Sequence, residues 1–264
     1  ALLVLPLSAT PPRRTARPAP TQPTAGRAVP VIAPARRAGS GEVSVRPVMM
    51  GRMTQVYLEA GAKKVFACAV DWPGWCRAAK GEEAALAALR AYAPRYRVIA
   101  ERAGLAFDPG APEVVERVPG NATTDFGAPA VPAAADRVPV DPAVAERELA
   151  LLRAAWEVFD EGAAATPAEL RKGPRGGGRD RDRMIAHVVE SERGYARQVG
   201  VRHRPFAFDD REARDALRAD LLRALAPPWD GAPPTPRGWP HRYAVRRLAW
   251  HVIDHLWEME DRRT

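Results

Sequence analysis

Four stretches between Asp141 and the end of the chain repeat apolar residues at helical spacing over about twenty residues each. This pattern restricts the C-terminal half to packed helices. In the first stretch, Asp141-Pro142 supplies a cap and a first helical position. AVAERELALLRAAWEVFDEG follows, with Val144, Leu149, Leu152, Trp156 and Phe159 on one broad stripe. TPAEL reads as a capping box that opens a short turn of helix. The remaining stretches are DRDRMIAHVVESERGYARQVG, DDREARDALRADLLRALAPP and PHRYAVRRLAWHVIDHLWEMEDRR, and the third carries Leu217, Leu221 and Leu225 inward. Four such helices predict a four-helix bundle over residues 141–264, with long connections before the second and fourth.

The segment before the helices reads differently. TQVYLEA and KKVFACAVDW are two short strands around Gly61, a hairpin signal, and WCRAA after the WPGW turn is a third. GEEAALAALRAYAPRYRVIAERAG is a helix with acids in its first turn, stopped by Gly104 and kinked or divided at Pro94. Residues 53–104 therefore form a β-β-β-α unit, and the expected fold class is α+β in two domains. Residues 105–140, rich in Pro, Gly and Ala, read as an ordered or semi-ordered connector in which only PEVVERV resembles a strand.

Charge places the first 52 residues apart. The chain carries a formal +8, but residues 1–52 hold eight Arg and one acid, a net of +7, which leaves +1 for the remaining 212. The segment is Pro-, Ala- and Arg-rich, the composition of a disordered tail or of sequence translated from a start site upstream of a true start at Met53. The near-neutral body disfavours nucleic acid as a partner. No apolar run is long enough to cross a bilayer. Two cysteines, Cys68 and Cys76, are too few for a disulfide framework; buried thiols in a reducing cytoplasm are expected.

The candidate chemistry lies in the histidines, of which there are five. His203 and His241 sit beside helix ends and are expected to be exposed. His251 and His255 are four residues apart, so they share one helix face. His187 stands mid-helix among Ile185, Val188 and Val189, where a histidine needs partners for its ring nitrogens. Alone, His187 reads as a hydrogen-bonded core residue, and the pair reads equally as a solvated face or a site. Together, three histidines on two helices favour a metal site. A His-Glu-x-x-His protease motif would need Glu at position 252, which is Val, and GPRGGGRD lacks the Gly-Lys-Ser/Thr ending of a phosphate-binding loop.

GRDRDRMIAHVVESERGY and RRLAWHVIDHLWEMEDR, with one His on the second helix and His-x-x-x-His on the fourth, resemble the DinB-like metalloprotein superfamily over residues 141–264. DWPGWCRAAKGEEAALAAL resembles the HicB-like fold of antitoxins over residues 53–104, although no DNA-binding helical module follows it. The first resemblance implies His187, His251 and His255 as ligands to a divalent metal. It also implies a low-molecular-weight thiol cofactor such as mycothiol, and thiol S-transfer to, or thiol-dependent isomerisation of, a small electrophile. Imidazole ligation suits Zn, Ni or Fe(II) alike. The second resemblance implies a competing reading: a non-catalytic binding or regulatory protein, with a toxin-like partner and the bundle as a homodimerisation element.

Helical spacing nominates supporting residues. Arg247 and Glu258 flank the histidine pair on its own face, Arg247 to hold an anionic substrate and Glu258 or Asp254 to orient a ligand. Glu190 and Gly194 follow His187 along its helix, Gly194 leaving room for a ligand or aiding packing. A solvated ion pair is the plainer role for each charged residue. Trp250, Trp257 and Tyr195 are expected in the core, Cys76 as a buried structural thiol, and RKGPRGGGRDRDR as a solvated loop or an anion-closing one.

Overall fold

The hairpin expected around Gly61 is the middle of a four-stranded mixed sheet. The computed structural model describes residues 53–173 and 177–263, so the expectations for residues 1–52 and for the centre of the Gly-rich loop lie outside the described residues. Strand β1 (Met53–Ala60) pairs antiparallel with β2 (Val65–Ala69), which pairs antiparallel with β3 (Cys76–Ala79). Helices α1 (Glu82–Ala91) and α2 (Ala93–Arg102) follow, divided at Tyr92 because Pro94 suits a helix start better than a helix interior. The chain then returns as β4 (Ala111–Pro119), parallel to β1, giving the order β3-β2-β1-β4.

β4 makes the connector an ordered part of the sheet. Past it, Glu59 fixes the next segment from beneath. Its fully buried carboxylate accepts from the Thr124 hydroxyl on α3 (Ala122–Phe126) and from the backbone N–H groups of Ala130 and Val131 at 2.9 and 3.0 Å. A carboxylate with this many donors is a satisfied structural anchor.

The four C-terminal helices stand where their periodicity places them: α4 (Pro142–Ala164), α5 (Arg181–Ala196), α6 (Arg211–Ala224) and α7 (His241–Arg262). Asp141 accepts from the Ala143 N–H at 2.8 Å, the cap the sequence suggests, and Asp210 caps α6 by accepting from the Ala213 N–H at 3.0 Å. TPAEL is not helical. Thr166 turns its hydroxyl back to the Gly162 carbonyl, and the Leu170 N–H and Ala168 carbonyl bond to Asp180 and the Arg181 N–H at the start of α5. The Thr166 hydroxyl and N–H, which a capping box would use, are thus already engaged, the N–H by the Ala163 carbonyl.

α7 is the spine. It packs on α4 and α5, and through Trp250 it also meets Phe66 of the sheet. Gly74, in the WPGW turn, has φ +86° and lies so close to α7 that an added Cβ would stand 2.5 Å from Ile253 Cδ1 and 2.9 Å from the Ala249 backbone. One continuous core joins Val56, Leu58, Trp75, Leu89 and Tyr96 to Leu152, Trp156, Leu248 and Ile253. A buried charge network crosses the same seam. Arg242 of α7 donates to Glu148 of α4 at 2.6 Å and to Asp71 beside the sheet at 2.8 Å. Arg246 pairs with the buried Asp136. The residues of the expected two domains lie within one compact unit.

Cys68 and Cys76 occupy directly opposed positions of β2 and β3 and are bonded as a disulfide, which corrects the expectation of free thiols. Hairpin register, invisible in residue counts, puts them face to face. Among the described residues, no helix is long and apolar enough to cross a membrane.

Candidate metal centre

α5 and α7 cross so that His187 faces His251 and His255. One ring nitrogen from each lies within 4.8 Å of the others. His187 Nε2 and His251 Nε2 are 3.3 Å apart. Two nitrogens at about 2.0–2.1 Å from one tetrahedral ion would be about 3.3 Å apart, so this pair already has the spacing of shared ligation. The structure thus holds a three-histidine group able to accept a metal ion.

The surroundings of His187 and His251 favour the neutral ring with a free lone pair. His251 is 4% exposed, and burial holds its imidazole well below the usual range, reinforced by His255 and the Arg247 guanidinium. Burial likewise lowers His187 to about 4, with His255 and Arg179 adding to the effect. Neutral imidazole is the form that binds metal. His255 shows the clearest preparation. Its Nδ1 meets Glu258 Oε2 at 3.1 Å, which fixes the ring and leaves Nε2 toward the other histidines. The hydrogen bond from His255, with help from Arg262 at 2.9 Å, keeps the Glu258 carboxyl below its usual range against the opposing effect of burial. His251 Nδ1 is buried without a partner.

The other nominated residues divide. Arg247 is buried one turn before His251, stacked 4.5 Å over the Trp250 ring and 4.9 Å from the Tyr195 ring. Asp254 turns to Arg77 at 2.8 Å and bonds to no histidine. Glu190 is exposed and pairs with Arg193 on its own helix. Both take the plainer ion-pair role: spacing within one helix shows which residues share a face, while the packing of the neighbouring element decides which edge of that face is used. A Cβ at Gly194 would meet nothing within 4 Å, so this position packs against no neighbour.

His203 and His241 are half-buried rather than exposed. His203 Nε2 meets Asp220 at 2.8 Å, and His241 stacks on Trp229. Trp250 and Trp257 are core residues as expected, and Tyr195 is half-buried, its ring nearly perpendicular to that of His251 at 5.4 Å. Two features escaped the sequence reading: the Glu59 anchor and the Arg242–Glu148 pair that seats α7. A lone acid in a strand and a charged residue on an apolar helix stripe were their only signals.

Comparison with family models, with curated proteins and with solved structures gives no match to this chain. Fold and site define an α+β chain with a three-histidine group that can hold a metal. What the chain does must be argued from that group.

Proposed function

We propose that the protein is a metal-dependent enzyme of DinB-like type. Its metal would be held by His187, His251 and His255, in a four-helix arrangement fused to a HicB-like sheet unit. The observation that carries this reading is the convergence of three histidines from two helices, one of them oriented through Nδ1 by a carboxylate. A core histidine pair held only by hydrogen bonds needs no such third ring. The donor set is chemically apt: three neutral nitrogen ligands leave a divalent ion its full charge and open positions, as catalytic rather than structural sites do. A divalent ion so held supplies Lewis acidity, which favours ionisation of a thiol or of water.

The chain's own residues would divide the remaining work. Glu258 holds the His255 ring and its tautomer. Arg247 places a fixed positive charge one turn from the ligands, suited to an anionic group. Tyr195 and Trp250 cover His251 and keep water from it. The reaction class we favour is S-transfer from a low-molecular-weight thiol of the mycothiol type to a small electrophile, or thiol-dependent isomerisation. Hydrolysis is the variant within the same class of enzyme.

The test is elemental analysis of the full chain, purified without a histidine tag, beside His187→Ala and His251→Ala. About one metal per chain, lost in both variants while circular dichroism is retained, is expected. Absence of metal after reconstitution with Zn, Ni and Fe(II) would overturn the proposal.

A further inference from the structure

Of the 40 basic residues in the chain only four are lysine, and three of those, Lys63, Lys64 and Lys80, line one groove. The groove lies between the β2–β3 hairpin, the turn that follows α3, and α7, and has a volume of about 440 Å³. Small-molecule sites span about 300–1,000 Å³.

The acids of the lining are committed. Asp254 pairs with Arg77 at 2.8 Å, and Asp125 accepts the backbone N–H of Lys63 at 2.7 Å. Among the described residues, the lysine with a carboxylate partner is Lys172, outside the groove. Four cationic side chains against two carboxylates leave the lining at +2. Lys63 and Lys80 are exposed and free to swing, while Lys64 is half-buried. Its ammonium stands at the groove wall, because a Cβ added to Gly127 would lie 2.9 Å from Lys64 Nζ.

The same rim carries Phe126, which is 89% exposed and stands between the lining residues Asp125 and Gly127. One exposed ring means little by itself. Beside a basic hollow it offers an apolar contact to whatever the lysines attract. Half-buried Ala78 supplies a second such contact, next to the edge-to-face pair of Phe66 and Trp250. Basic residues with an exposed aromatic also suit an anionic bilayer, but a bilayer needs apolar side chains that project together. Here one ring projects beside a concave surface, which suits a small molecule.

We propose that this groove binds a small organic anion, its phosphate or carboxylate head met by Lys64 and Lys80 and its apolar body lying between Ala78 and the Phe126 ring. Ammonium groups are rotatable point charges that follow a head group in any orientation, where the planar fork of Arg would fix one. The site is separate from the histidine group and needs no metal there.

The experiment is calorimetric titration of the full chain with 2-naphthyl phosphate, after chelator treatment so that no metal can take the anion. Saturable 1:1 binding is expected. Removing roughly 60 Å² of naphthyl surface from water should make it about tenfold tighter than binding of inorganic phosphate. Lys64→Gln with Lys80→Gln should weaken it about fivefold or more, and Lys172→Gln should leave it unchanged. Phe126→Ala should cost about threefold with naphthyl phosphate and nothing with inorganic phosphate. Equal binding of 2-naphthoate identifies a carboxylate head, and a preference for the phosphate ester identifies a dianionic one. Should the Lys64 variant fail to fold, Lys80→Gln and Phe126→Ala, both at exposed positions, decide. Binding of naphthyl phosphate that is no tighter than that of inorganic phosphate, or that these variants leave unchanged, would overturn the proposal. So would capture of the protein by phosphatidylserine vesicles through the same residues, with no saturable binding of naphthyl phosphate.

Discussion

Glu258→Gln offers the sharpest check on how the histidine group is built, because Asp254→Asn provides a control four residues away on the same helix. Both acids were nominated by spacing alone. Of the two, the structure gives only Glu258 a bond to one of the three histidines, 3.1 Å from His255 Nδ1, whereas Asp254 bonds to Arg77 at 2.8 Å. Losing a carboxylate that orients a ligand histidine typically weakens metal affinity about 10–100-fold, or about 1.4–2.7 kcal/mol. Glu258 is partly exposed, and an amide oxygen can still accept from Nδ1, so the low end applies: about tenfold for Glu258→Gln. Asp254→Asn should stay within about twofold, since it disturbs only an ion pair one-third open to solvent. Competition titration of zinc against a chromophoric chelator at pH 7 resolves the difference. Equal losses in the two variants, or a larger loss in Asp254→Asn, would refute the assignment of Glu258 as the orienting group.

Two further outcomes follow from the same geometry. His187 and His251 have folded-state pKa values below that of a free imidazole, so between about pH 6.5 and 4 the unfolded chain binds more protons than the folded one. Metal-free protein should therefore keep its full stability above pH 6.5 and lose it as pH falls. His187 contributes about 1–2 kcal/mol of this after allowance for its partial exposure, and urea midpoints at pH 7.5 and 5 read it. Gly74→Ala should destabilise by about 3 kcal/mol or more in thermal melts, because the new methyl meets Ile253 and the Ala249 backbone at a positive φ.

Helix spans, hairpin and histidine grouping were legible because each is local or periodic. The stripe on α7 puts His251 and His255 side by side, and His187 is conspicuous as the polar residue in the apolar run MIAHVV of α5. What sequence alone left open is pairing at a distance. The parallel match of β4 to β1 depends on a crossover through α1 and α2, and no residue of APEVVERVP announces it. Cys68 and Cys76 read as isolated thiols because only the register of β2 against β3 sets them opposite each other. Glu190 shares the helix of His187 but takes the ion-pair role rather than a place beside the histidines. The α5–α7 crossing brings His187 toward α7 and leaves Glu190 to solvent and Arg193.

The continuity of the core has a consequence for the site itself. α7 buries nearly all of its length, and its neighbours come from both halves of the chain. Trp250 packs on Phe66 of β2, Trp257 on Tyr92 between α1 and α2, and Ile253 on the Gly74 turn. Arg246 draws its counterion from Asp136 and Arg242 draws one of its two from Asp71, both ahead of α4. A fragment of residues 141–264 would expose these three apolar side chains, at roughly 1.5–3 kcal/mol each, and leave Arg246 without its partner. The sum rivals the whole stability of an ordinary domain, about 5–15 kcal/mol. The fragment should therefore be unfolded or loosely packed, and should not bind metal in a 1:1 ratio even though it carries all three histidines. Cooperative melting together with full zinc binding by residues 141–264 would show instead that the helices build the site unaided, with the sheet as a separable attachment.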